Sequence, residues 1–302
     1  MRTHLLLVSA LILLLLLCTV TPATALEIVS RSPYSGAIVI DAATGKALFE
    51  DNADGKGYPA SITKLMVLLV ILDAVEAHRL TLDEPVTVTA KASKIGGSQV
   101  YLKDNEVFPV DELLYALVVQ SANDAATALA IHYAGGKAAF VELMNRRAQE
   151  IGMRDTVFRS VHGLPPGRGQ LPDISTPRDI AKLCRELLKK PGALKYTSTR
   201  RRLFRADAAQ PFIMTNHNRL LRNTKGCDGL KTGYFRAAGF SIAATASRKH
   251  QRAIAVVFGA LSGKVRDAKA KEMLTRGLME LVMNAAPAPA PAPGARTRYR
   301  PD

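Results

Sequence analysis

Apolar positions along the chain change their period twice. Residues 36–41 and 47–51 are short β-type runs, and the intervening Ala42-Ala43-Thr44-Gly45-Lys46 predicts a hairpin. Residues 61–75 are almost entirely apolar after their first turn, which predicts a helix buried in the interior. Helical spacing of Leu, Val, Ala and Met then predicts helices over 110–120, 122–133 and 137–151, the last two separated by Gly135-Gly136. Residues 176–190 repeat the signal, with Ser175 or Thr176 as N-cap, Pro177 in the first turn and Pro191 beyond the end. Period two returns at 229–234, 239–246 and 252–260, and the last run is continuously apolar, as a central strand is. Residues 263–283 read as a closing amphipathic helix. Strands from both ends around a helical middle predict one sheet completed by N- and C-terminal segments, with a helical insert.

Both termini depart from this pattern. Arg2 and His4 precede an uncharged apolar stretch over residues 5–20, followed by Pro22 and Ala23-Thr24-Ala25. That is the order of an export signal cleaved after Ala25, an uncleaved membrane anchor being the alternative. Cys18 follows Leu-Leu-Leu, without the small residues a lipoprotein signal places before its cysteine. At the other end, alternating Ala-Pro from residue 286 predicts a stiff extended segment leading to Arg296, Arg298 and Arg300. The expected organisation is therefore a signal peptide over 1–25, one globular unit over 26–283 and an Ala-Pro-rich basic tail over 284–302, with no stable membrane anchor.

Composition narrows the partners. The 302 residues are 48% apolar and 22% charged, which suits a packed core and excludes a disordered or collagen-like chain. Forty-one Lys and Arg against 26 Asp and Glu give +15, or +14 once Arg2 leaves with the signal, so an anionic partner is favoured. Nucleic acid is disfavoured by export and by the lack of an aromatic-basic platform. Three cysteines show no zinc-site spacing, so neither metal nor other cofactor is expected. Cys184 and Cys227 read as lone thiols, although an oxidising compartment leaves their pairing open.

Three short motifs carry candidate chemistry. In Ser61-Ile62-Thr63-Lys64 a hydroxyl and an amine stand one turn apart at the start of an apolar helix. Burial disfavours the ammonium, so Lys64 could take the Ser61 proton, while the helix start offers N–H groups to an oxyanion. Ser121-Ala122-Asn123, between two helices, could present a hydroxyl and an amide to a cleft, or simply cap a helix. Lys231-Thr232-Gly233 places a lysine in an apolar strand, where it needs a partner or a cleft. Gly233 leaves room for another backbone, so a peptide could add as a strand there, although an edge lysine that blocks aggregation reads the same way.

Taken together, in this order, the three motifs resemble the trio of class A β-lactamases and penicillin-binding proteins. Val161-His162-Gly163-Leu164, Ser175-Thr176-Pro177-Arg178-Asp179, Asn216-His217-Asn218 and Asp228 to Gly233 make the chain similar, over about residues 27–280, to the D-alanyl-D-alanine carboxypeptidases. That resemblance implies an α/β (α+β) fold of β-lactamase/transpeptidase type, an antiparallel sheet flanked by helices with an all-helical subdomain. It also implies a periplasmic or wall-associated peptidase that acylates Ser61 on the D-Ala-D-Ala end of a peptidoglycan stem peptide, with penicillins as covalent inhibitors. Lys64 would accept the proton, and Ser121 and Asn123 would return it and hold the peptide. Lys231, Thr232 and Gly233 would bind the carboxylate end, and the N–H groups of Ser61 and Tyr234 would form the oxyanion hole. Arg266 lies where relatives often place an arginine near the carboxylate, a solvated residue being the alternative.

The chain departs from the family pattern at Ala122, often Gly, and at Phe235, often Thr. His162 and His217 are expected to be structural, the Leu143/Met144 stripe to be core, and Glu142 not to act as a deacylating base. Competing readings are a DD-endopeptidase acting on cross-links, a weak β-lactamase, and a non-catalytic wall-binding protein.

Overall fold

The computed structural model describes residues 26–285. The expected signal peptide and nearly all of the Ala-Pro tail lie outside them. The chain begins with the predicted hairpin of β1 (Gly36–Asp41) and β2 (Ala47–Asp51). Asp41 organises its turn by accepting the Ala43 N–H at 3.0 Å and the Thr44 hydroxyl at 2.6 Å, and Gly45 supplies the positive φ of 80°.

A 3₁₀ turn, Ala60–Thr63, leads into α1 (Lys64–Glu76). Residues 64–72 are all buried, so this helix is enclosed as its composition requires. Next come β3 (Pro85–Thr87), α2 (Ala90–Ser93), β4 (Val107–Pro109), α3 (Val110–Tyr115), α4 (Asn123–Ala134) and α5 (Lys137–Glu150). The stretch read as one helix over 110–120 changes register instead: α3 passes into a π turn, Ala116–Gln120, that ends at a left-handed Ser121 with φ 62° and ψ 31°. Beyond it lie α6 (Pro177–Leu187), α7 (Ala193–Thr197), β5 (Arg201–Phe204), β6 (Phe212–Thr215) and α8 (Leu220–Asn223). Thr176 caps α6 by accepting the Asp179 N–H at 3.1 Å, with Pro177 at its first position. The chain closes with β7 (Cys227–Phe235), β8 (Gly239–Arg248), β9 (Gln251–Ala260) and α9 (Gly263–Asn284).

Five strands form one antiparallel sheet in the order β2-β1-β9-β8-β7. The apolar run in β9 marks the central strand, as its pattern predicted. Alternate residues serve opposite faces. Ile38, Ile40, Ile254, Val256 and Phe258 join the main core around α1 and α6, while Ala37, Val39, Ala255 and Val257 pack under Leu274 and Leu278 of α9. β7 is an outer strand, so Lys231 sits at a sheet edge rather than in the middle.

The part of the molecule around α1 to α5 is not all-helical as expected. It carries two-stranded sheets, β3 with β4 and β5 with β6. In the second of these Phe204 and Met214 are buried while Leu203 and Ile213 stay about half exposed. Apolar residues on both faces of strands this short leave no alternation to read.

Candidate active site

The motif residues are assembled by three backbone devices. In the 3₁₀ turn, residues i and i+3 eclipse, which brings the Lys64 ammonium to 3.2 Å from the Ser61 hydroxyl. Ala60, just before Ser61, takes a left-handed φ of 50°, a strain found where a side chain must be aimed. The π turn and the left-handed Ser121 bring the second motif to the same place. β7 delivers the third against the 3₁₀ turn: a Cβ on Gly233 would stand 2.5 Å from the Pro59 carbonyl oxygen and 3.2 Å from the Ser61 nitrogen. Only glycine permits that approach.

Lys64 is fully buried, and its ammonium donates to Asn123 Oδ1 and the His162 carbonyl oxygen, each at 2.7 Å, besides Ser61. All three donors are therefore placed on neutral acceptors. Burial first, and the Lys231 charge second, pull its pKa well below the usual lysine value, against the weaker pull of Asp173 and Asp124. Neither carboxylate bonds to it. Asp173, buried, accepts the Arg159 and Ser160 N–H groups, the Ser160 hydroxyl and the Thr63 hydroxyl. It thereby ties the loop carrying His162 to the turn carrying Ser61. Asp124 accepts the N–H groups of Val100 and Leu102, and Asn123 donates to the Gly96 carbonyl oxygen, so the loop between α2 and β4 is held over the start of α4.

Gly163 stands beside the 3₁₀ turn with φ 75°, and a Cβ there would lie 1.9 Å from the Ala60 carbonyl oxygen. The Asn216-His217-Asn218 run serves β7: Asn218 donates to the Gly229 carbonyl oxygen at 2.9 Å, and Asn216 donates to the carbonyl oxygens of Thr197 and Thr199. Lys231 is buried with one protein acceptor, the Thr232 carbonyl oxygen at 3.1 Å. Burial, then the Arg266 charge, lowers its pKa to about 7. No carboxylate pairs with it among the described residues, which leaves the position open to an anionic ligand.

Above these buried groups lies a cavity of about 650 Å³ lined by Ser61, Ser121, Thr232, Gly233, Tyr234 and Arg266, with Asn216, His217 and Phe240. Every residue singled out in the three motifs lines it or lies beneath it. Arg266, left open between carboxylate site and solvated surface, is 6% exposed, lines the cavity and donates to Asp267 Oδ1. His162 is structural as expected, its Nδ1 accepting the Leu164 N–H at 3.1 Å. His217 is not: it is exposed on the cavity wall, with its pKa lowered by desolvation and then by Lys231, Lys64 and Arg266. Phe235 does not line the cavity; it packs in a small apolar cluster, stacking on Tyr58 at 5.7 Å between ring centres. Glu142 is exposed on α5 and Met144 is core. Cys184 and Cys227 are separate free thiols, so no disulfide joins them.

The sequence did not reveal Asp173 and Asp124, isolated acids without motif spacing, or the lining contributed by Ser98, Arg219, Arg222 and Lys264. Only the run Asn216 to Asn218 hinted at that wall.

Residues 20–262 match the D-alanyl-D-alanine carboxypeptidase family, peptidase family S11. The chain belongs to that family. It is 36% identical over 238 residues to the D-alanyl-D-alanine carboxypeptidase DacF of Bacillus subtilis, covering 79% of this chain and 60% of that protein. It is 37% identical over 248 residues to DacD of Escherichia coli, covering 80% and 62%. The chain thus spans less than two thirds of the length of either relative. Among solved structures it is similar to penicillin binding protein 6B from Escherichia coli, with 35% identity, a TM-score of 0.73 and coverage of 85% of this chain and 79% of that one. The DacD structure from Francisella tularensis gives 27% identity and a TM-score of 0.76, covering 87% and 74%. The antiparallel sheet flanked by helices has the expected transpeptidase-like fold.

Proposed function

We propose that the chain is a serine-type D-Ala-D-Ala carboxypeptidase that trims the terminal D-Ala from peptidoglycan stem pentapeptides and is acylated by penicillins. The observation that carries this reading is the Lys64 ammonium at 3.2 Å from Ser61 Oγ, buried and with no carboxylate hydrogen-bonded to it. A lysine in that state is neutral enough to act as a base. Ser61 Oγ attacks the carbonyl carbon of the D-Ala–D-Ala bond and passes its proton to Lys64 Nζ. The N–H groups of Ser61 and Tyr234 receive the oxyanion. As the C–N bond breaks, the proton travels by way of Ser121 to the departing amine, while Asn123 holds Lys64 and the peptide. Water then adds to the ester, returns its proton to Ser61 Oγ and frees the shortened peptide.

Lys231 and Thr232, with Arg266, hold the terminal carboxylate. Its negative charge supplies the partner that the buried Lys231 lacks in the protein itself. The acyl half of the substrate lies as an added strand along the outer edge of β7, beside Gly233. Relatives carrying this name and penicillin-binding neighbours solved with ampicillin and cefotaxime support the assignment. An exported location, periplasmic or at the wall, follows from such a substrate and from the N-terminal export pattern.

Fluorescent penicillin labels the protein covalently, Ser61→Ala abolishes labelling, and Lys64→Ala slows it by about 100-fold or more, the worth of a positioned base. Equal labelling of the Ser61→Ala protein removes the nucleophile assignment. Product analysis on defined muropeptides shows D-Ala released from pentapeptide stems; cleavage of cross-linked dimers alone overturns the substrate assignment.

A further inference from the structure

The cavity is charged more strongly than binding a single carboxylate requires. Besides Arg266, its lining includes Arg219, Arg222 and Lys264, and no Asp or Glu. Arg266 already donates to Asp267, whereas among the described residues Arg219, Arg222 and Lys264 have no carboxylate within 4.0 Å. Three exposed cations facing one cleft without counter-ions repel one another, and a cleft concentrates their field.

Position separates them. Arg219 and Arg222 belong to the segment that Asn218 ties to the beginning of β7 at Gly229, and Lys264 lies in the first turn of α9. Tyr234 and Phe235 occupy the opposite end of the strand, against Phe240 and Tyr58. Lys264 follows Gly263, which stands beside the Phe240 ring, and so lies at the Tyr234 end. With the acyl half of a peptide running along residues 233–235 and its carboxylate at Lys231 and Thr232, Arg219 and Arg222 stand beyond the scissile bond, where the departing residue lies.

We propose that Arg219 and Arg222 form a second anion subsite, which takes a further carboxylate on the residue leaving the D-Ala carbonyl and so favours acidic leaving groups. This rests on the acyl-enzyme reading above and adds to it the substrate class on the leaving side. Neutral and anionic leaving residues of equal size separate charge from shape. The full chain is assayed on diacetyl-Lys-D-Ala-D-Gln and diacetyl-Lys-D-Ala-D-Glu, reading release of the last residue. The acidic substrate is expected to be favoured in kcat/KM by about tenfold at low salt, as several partly exposed charges in a cleft provide, and less at high salt.

In the double variant Arg219→Gln, Arg222→Gln the ratio falls to about one, and in Arg222→Glu it inverts, as loss and reversal of a local charge require. Covalent penicillin labelling of each variant reports folding and a competent Ser61. Equal turnover of the two substrates by the unaltered protein, or a preference that survives in the labelled double variant, overturns the subsite. Absence of both labelling and turnover in the unaltered protein refutes the acyl-enzyme reading instead, so the two failures are distinguishable.

Discussion

Lys64 and Lys231 are both buried, yet they are kept in different company. Lys64 has three neutral acceptors in place and Lys231 has one, so the first is prepared as a base and the second awaits an anion. Both cost stability, because an ammonium enclosed without a counter-ion is poorly solvated. The sign for Lys231 follows from its lowering to about 7. Below that pH both folded and unfolded chains hold the proton and the full penalty applies; it fades as pH rises from about 7 toward the ordinary lysine range, where both are neutral. Lys231→Met is therefore expected to raise the free energy of unfolding by about 2 kcal/mol at pH 6, and by progressively less on the alkaline side, while D-Ala release is lost. Urea unfolding at pH 6 and pH 9 measures it, and an equal gain at both pH values contradicts the burial argument. Gly163→Ala tests backbone placement. Its Cβ would meet the Ala60 carbonyl oxygen at 1.9 Å, so the turn bearing Ser61 must shift. Acylation by penicillin is expected to slow about 100-fold, as misplacement by an ångström does.

At the scale of elements, the site depends on how loops are fastened to helix starts. Asp173 holds four donors, one from Thr63 at the end of the 3₁₀ turn and three from the loop residues Arg159 and Ser160. Burial raises its pKa against those same bonds, so it is costly in either charge state unless every donor stays in place. Asp173→Ala leaves the donors buried and unpaired and is expected to cost about 3 kcal/mol. Denaturant unfolding reads the loss directly, and a change below 1 kcal/mol, the net worth of an ordinary hydrogen bond, contradicts the assignment. The elements themselves were largely legible. The strand periods in β1, β8 and β9, the enclosed α1 and the Thr176 cap of α6 all follow from local pattern. The π turn before Ser121 did not, because a one-residue change of helical register leaves the apolar spacing of 110–120 almost unaltered.

For the whole molecule, charge is the property that acts at a distance. The sequence carries +15, and unpaired cations gather at the mouth of the site. Sedimentation with isolated cell wall is expected at low salt and to fall sharply between about 0.05 and 0.5 M salt, where the screening length contracts to a few ångströms. Salt-independent association contradicts an electrostatic origin.

Order along the chain was enough to nominate Ser61, Lys64, Ser121, Asn123 and Lys231, because each motif is local and its residue types are chemically specific. It was enough also to place a central strand and a buried helix, since burial leaves its period in the residues themselves. Which protons and charges face one another was decided only by tertiary structure. The contact of β7 with the 3₁₀ turn, the carboxylate of Asp173 more than 100 positions from Thr63, and the gathering of Arg219, Arg222, Lys264 and Arg266 around one cavity are long-range relations. Spacing within a motif fixes neighbours one turn apart, whereas the field at a buried nitrogen is set by every group the fold packs against it.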